Sequence, residues 1–135
     1  MNARGFAMTE ALVALAVFGV ALTGSLGLAV EGFAATLEAR RAQQAAALAA
    51  DLAGRIAVLP GVDWTSLPTV TPCEPGCSPA QLAALELARW RQALGDTLPA
   101  AGATLAPGAA GSLLLRLEWR ETGGAVRGFE LEIAP

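Results

Sequence analysis

Glu10 is the residue whose type and position ask for chemistry, because it is the one charged side chain between Arg4 and Glu31. A carboxylate inside an apolar membrane segment needs a partner and marks a functional position. The ordinary alternative is an acid in the first turn of a helix, where it complements the dipole. A helix starting at Phe6 would place Glu10 only about 6 Å along its axis, near the membrane–water interface. The second group is Cys73 and Cys77, in Cys73-Glu74-Pro75-Gly76-Cys77. A Pro-Gly turn can bring such ends to the Cα separation of about 5.5 Å that a disulfide requires. A zinc site fits poorly, since it wants four ligands and the chain has no histidine. A head facing an oxidising compartment takes the Cys73–Cys77 bridge, and a reducing compartment leaves two thiols. A loop this short closes little chain entropy, so the bridge would act as a local clamp.

The composition excludes several classes. Without histidine there is no His general base, His-based triad or His metal site. Asp51, Asp63, Glu86 and Asp96 show no pairing tied to a loop signature. The expectation is a chain that is not an enzyme, with no catalytic residue, no metal and no cofactor. All nine basic residues are Arg, they are scattered, and the net charge is -3, so nothing announces a nucleic-acid partner.

These residues must be positioned by the elements around them. At 135 residues the chain is one small domain plus an N-terminal segment. Residues 6–30 form an apolar run that would span about 37 Å as helix, more than the roughly 30 Å of a bilayer core. Arg4 precedes the run and no basic residue follows until Arg40, which places the N-terminus on the cytoplasmic side. A cleaved secretory signal has a shorter apolar region, about 7–15 residues, whereas here the helical pattern continues past Ala35. Gly19, Thr23 and Gly27 recur every four residues, a small-residue face that allows close helix approach.

From residue 31 to 59 the pattern turns amphipathic: Leu37, Ala45, Leu48, Leu52, Ile56 and Leu59 form a stripe broken at Arg41. Pro60-Gly61 ends this helix. Residues 60–77 contain Pro60, Pro68, Pro72 and Pro75 and read as loop, with Trp64 pinned beneath it. A second helix opens on a Ser78/Gln81 capping box with Pro79 in first position. Its face is Ala83, Leu87, Trp90 and Leu94, and Gly95 stops it. Arg89 and Arg91 flank Trp90 as solvated charges. Strands then fall within about residues 103–134: a short edge strand at 103–105, a clear one over 112–120 and a last one over 125–134. The last two alternate apolar and polar residues around a turn at 121–124. The fold class expected is α+β, a long N-terminal helix packed on a small antiparallel sheet.

Gly5-Phe6, then Glu10, then a long apolar helix resembles the class III signal of type IV pilins and pseudopilins. The resemblance implies a leader of residues 1–5, cleavage by prepilin peptidase between Gly5 and Phe6, and N-methylation of Phe6. It makes residues 6–30 a transmembrane and assembly helix, and residues 31–135 a periplasmic pilin-like head. Met8-Thr9 departs mildly from the family's Leu/Ile-rich residues before the glutamate. Helices sharing a fibre core would bury Glu10 unless a cation met it, and the amine of a neighbour's Phe6 is a candidate. Removing one partner of such a pair costs about 3–5 kcal/mol. Many major pilins carry a proline where this chain has Gly27. The Cys-x3-Cys-Ser-Pro segment, the Leu87–Leu94 run around Trp90, Leu98-Pro99 and the strand ending Glu118-Trp119-Arg120 are similar to PilV-type minor pilins, the type IV pilus modification proteins. That likeness implies a structural subunit that helps prime assembly or form the tip of a type IV pilus. Its partners would be other minor pilins, the major pilin, the inner-membrane assembly platform and the lipid bilayer. The related reading is a minor pseudopilin of a type II secretion system, which shares the N-terminal signal. The implied location is the inner membrane, single-pass, then the pilus or cell surface.

Overall fold

The computed structural model describes residues 3–72 and 76–134, with side chains from residue 8 onward. The chain divides into two compact units, Met1–Ala39 and Arg40–Pro135. Helix α1, Ala3–Val58, supplies the first unit and opens the second. No proline interrupts it before Pro60, and its composition is dominated by Ala and Leu, the strongest helix formers. It stops where expected: proline disfavours helical geometry at Leu59, and Gly61 takes φ +79, a left-handed conformation that suits glycine.

Helix α2, Pro79–Thr97, starts as the sequence dictates. The Ser78 hydroxyl accepts from Gln81 N at 3.3 Å, and the Gln81 side chain accepts from Ser78 N at 2.9 Å. Its end differs from expectation. Gly95 lies inside the helix, which runs two residues further. The terminator is Pro99, which drives Leu98 into extended geometry (φ -118, ψ 133).

Three strands follow: β1, Gly102–Pro107; β2, Leu113–Arg120; and β3, Val126–Ile133. They form one antiparallel sheet in the order β1-β2-β3. β1 is longer than its apolar centre suggested, because Gly102 and Pro107 pair with Glu118 and Leu113. Between β1 and β2 a 3₁₀ turn, Ala109–Gly111, is closed by Gly108 N–H donating to Ser112 O at 2.8 Å. A Cβ at Gly108 would lie 2.3 Å from Ser112 Oγ and would push that hydroxyl off its hydrogen bonds to the Ala109 carbonyl and Glu132.

The core belongs to the second unit. It joins Ala45, Ala49, Leu52 and Ile56 of α1, the Leu87–Trp90–Leu94 face of α2 and Leu115, Leu117 and Trp119 of β2. The alternation of β2 is realised, with Leu115 and Leu117 fully buried and Arg116 and Glu118 exposed. The α1 stripe covers the sheet from Ala45 onward and recruits Ala49. Leu37 lies in the first unit and is 52% exposed, so the packed stripe begins later than the sequence pattern suggested.

Candidate functional site

The N-terminal unit is a single helix whose apolar side chains face outward. An 18-residue window within it has a mean hydropathy of 2.2, and none of that window is buried. By length and composition the helix can cross a membrane. Its hydroxyls do not stand in the way: Thr23, Ser25 and Thr36 donate to the carbonyls of Val20, Ala21 and Gly32 at 2.9, 3.0 and 2.8 Å. Such back-bonding leaves few polar groups to be satisfied in lipid. Glu10 is exposed among them. A Cβ at Gly19 or Gly27 would meet nothing within 4 Å, so neither glycine is needed for packing inside the chain. The backbone of Gly5 and Phe6 is helical, and their side chains lie outside the described residues. Cys73 likewise lies outside them, so its pairing with Cys77 stays an expectation; no described cysteine is free.

In the head, polar side chains tie elements together and fix loops. On the sheet Arg116 pairs with Glu130 at 2.6 Å and the Ser112 hydroxyl donates to Glu132 at 2.5 Å. Three further arrangements lie elsewhere. The first is centred on Glu121, one residue beyond β2 and buried. It accepts from Trp119 Nε1 at 2.8 Å and is ion-paired with Arg41 of α1. Arg41 also donates to Thr122 Oγ1 at 3.2 Å. The Trp119 indole N–H and then the Arg41 guanidinium hold the Glu121 carboxyl below its usual range, against the opposing effect of desolvation. The second joins α1 to α2: Arg55 donates to Asp51 at 2.9 Å and pairs with Glu86, whose other oxygen takes Arg89 at 3.2 Å. The Asp51 hydrogen bond is the main reason the Arg55 pKa is raised. Trp90 completes the junction, its Nε1 donating to the Leu48 carbonyl at 2.8 Å.

The third arrangement shapes the loop after α1. Asp63 Oδ1 accepts from Thr65 N at 2.9 Å and Thr65 Oγ1 at 2.6 Å, and Oδ2 accepts from Ser66 Oγ at 2.6 Å. The Ser66 hydroxyl first, then the Thr65 groups, bring its pKa down to about 2. Trp64 is thereby turned inward and is 3% exposed, as the loop reading required. A cleft of about 680 Å³ opens beside it, lined by Ile56, Leu59, Val62, Pro107 and Leu113 among others. Among the described residues Asp63 is the one ionisable lining residue, and its oxygens are already engaged. The cleft therefore offers apolar surface with a fixed negative charge. Among the described residues, no group of three His, Cys, Asp or Glu side chains could hold a metal ion.

Sequence reasoning missed the Arg41–Glu121–Trp119 group. The signal was present: Arg41 interrupts the apolar stripe of α1, and Glu121 falls two residues after Trp119, in phase with the inward-facing residues of β2. What brings them together is an 80-residue separation closed by the fold. No family model matches the chain, and no curated protein or solved structure matches it.

Proposed function

We propose that this chain is a minor pilin, a structural subunit that helps prime assembly or form the tip of a type IV pilus. The observation that supports the reading most is the continuity of α1. One helix begins as an exposed apolar segment with a single carboxylate, Glu10, and ends as the cover of a three-stranded antiparallel sheet. A plain anchor has no need of Glu10, and a cleaved secretory signal has no need of a helix continuous with the head.

In this reading prepilin peptidase cuts between Gly5 and Phe6, and Phe6 is N-methylated. The helix then waits in the inner membrane, N-terminus cytoplasmic and head periplasmic. On assembly Glu10 meets the Phe6 amine of a neighbouring subunit. The pairing sets axial register because each buried carboxylate has one cation within reach.

Mass spectrometry of the protein isolated from its own membranes tests the processing. The expected N-terminus is N-methyl-Phe6; a mature chain starting near Ala35 would make the segment an ordinary secretory signal. Glu10→Ala tests the pairing. Cleavage should persist while incorporation into fibres falls by at least about tenfold, the equivalent of roughly 1.4 kcal/mol. Normal incorporation of that variant removes the charge pair from the mechanism.

A further inference from the structure

The two edges of the sheet are built differently. β1 is six residues long and ends in Pro107, which has no N–H to offer. Short length, proline and charged side chains are usual ways of protecting an edge. β3 has neither of the first two, and its charged residues are Arg127, Glu130 and Glu132. It is eight residues long, lacks proline, and keeps unbroken register with β2 from Leu113↔Ile133 to Arg120↔Val126.

The turn fixes which backbone groups of β3 face outward. Glu121 N–H donates to Ala125 O at 2.8 Å, so residue 125 faces β2. By the alternation of an antiparallel ladder, residues 127, 129, 131 and 133 bond to β2, and Val126, Gly128, Glu130 and Glu132 point their N–H and C=O groups away from it. A row of alternating donors and acceptors is complementary to another strand.

The side chains say what kind. Phe129 and Leu131 are half-buried, although Leu117 and Leu115, their partners in register, are fully buried. The apolar face of the sheet thus runs on past the cover that the helices provide. On the opposite face the edge presents exposed Glu130 and Glu132, each with one oxygen already engaged within the chain: Glu130 Oε1 by Arg116 at 2.6 Å and Glu132 Oε1 by the Ser112 hydroxyl at 2.5 Å. Gly128 lies between them in the outward-facing series. A Cβ there would make only ordinary contacts, 3.5 Å from Leu117 O, so the head's own packing does not require glycine. A glycine inside a strand weakens it, and a common reason for one is the close approach of another backbone.

We infer that the open edge of β3 accepts a fourth strand from a separate polypeptide, an extended segment alternating apolar residues with Lys or Arg. The apolar residues would lie beside Phe129 and Leu131 and extend the core, and the cations beside Glu130 and Glu132. This goes beyond the pilin reading and does not rest on it, since the edge is a property of the head alone.

The full-length chain in neutral detergent micelles is the test object. The probes are three peptides of the length of β3: alternating Val/Arg, alternating Val/Glu, and Val/Arg with a central proline. Hydrogen exchange is followed at single amides. The Val/Arg peptide should slow exchange at Val126, Gly128, Glu130 and Glu132 by about tenfold or more, with little effect on amides already bonded to β2. The other two peptides should not. Gly128→Pro should abolish the protection, and its thermal melt reports whether the hairpin survives. The R116E/E130K/E132K triple variant, which reverses the charge of the edge while keeping opposite charges across the 116↔130 pair, should exchange the preference for Val/Arg for one for Val/Glu. Equal protection by the proline-interrupted peptide, or protection confined to α1 or α2, would overturn the inference. So would concentration-dependent protection of the same four amides without peptide, which would make a second copy of the chain the occupant.

Discussion

Two carboxylates of the head, Glu121 and Asp63, are held below their ordinary pKa by the donors around them. Glu121 is buried with an indole N–H and a guanidinium on its oxygens, which fastens the β2–β3 turn to α1. Asp63 is held by three donors from the two following hydroxyl residues, which fixes the loop that turns Trp64 inward. Its pKa falls from an ordinary 3.8 to about 2. A carboxyl depressed in the folded state stabilises that state above its ordinary pKa, and the contribution disappears as pH falls through the folded value. Urea unfolding followed by Trp fluorescence should therefore show stability declining between pH 3.8 and about 2, with Glu121 adding to the decline in acid. Asp63→Ala should be less stable than the parent at neutral pH and should show a shallower decline across that window. A parallel decline in both proteins would mean that Asp63 contributes nothing to the acid response.

At the scale of elements, local chemistry set the boundaries more firmly than composition did. The start of α2 was readable to the residue, because Ser78, Pro79 and Gln81 each meet a specific need of a helix N-terminus. Ser78→Ala should cost about 1 kcal/mol, seen as a lower urea midpoint, and should speed amide exchange at Gln81. An unchanged midpoint would mean that the capping box is redundant with core packing. The end of α2 was misread because glycine is a frequent stop signal but not an obligatory one. Gly95 is tolerated inside the helix, and the residue before Pro99 is not free to be helical. In the same way β1 extends past Ala103–Leu105 because Leu113 and Glu118 of β2 are there to be paired; a ladder partner is invisible to a local pattern.

At the scale of the molecule, Trp90 joins the parts of the head. It is 1% exposed, contributes to the common core and donates to the Leu48 carbonyl across a sequence separation of 42 residues. Trp90→Ala should cost about 3–5 kcal/mol, read from urea unfolding of the full chain in micelles. Trp90→Phe, which keeps most of the ring but loses the donor, should cost much less. Membrane association should be the same for both variants, since the apolar run of residues 6–30 is untouched. A drop in membrane association would show that the two units do not act separately.

The sequence by itself determined the kinds of element and their order. Apolar periodicity marked a long helix with an apolar first half, turn residues marked the breaks, and strict alternation marked β2 and β3, because each signal is local and repeats within a few residues. It also determined Glu10 as the anomaly of the first unit, since one charge in an apolar run needs no tertiary context to be noticed. Only the tertiary structure decided that Leu37 lies outside the packed stripe, that Arg41 reaches Glu121, and that β3 is an outer strand with no further strand beside it among the described residues. Those outcomes depend on which distant residues the fold brings face to face, and sequence spacing carries no record of that.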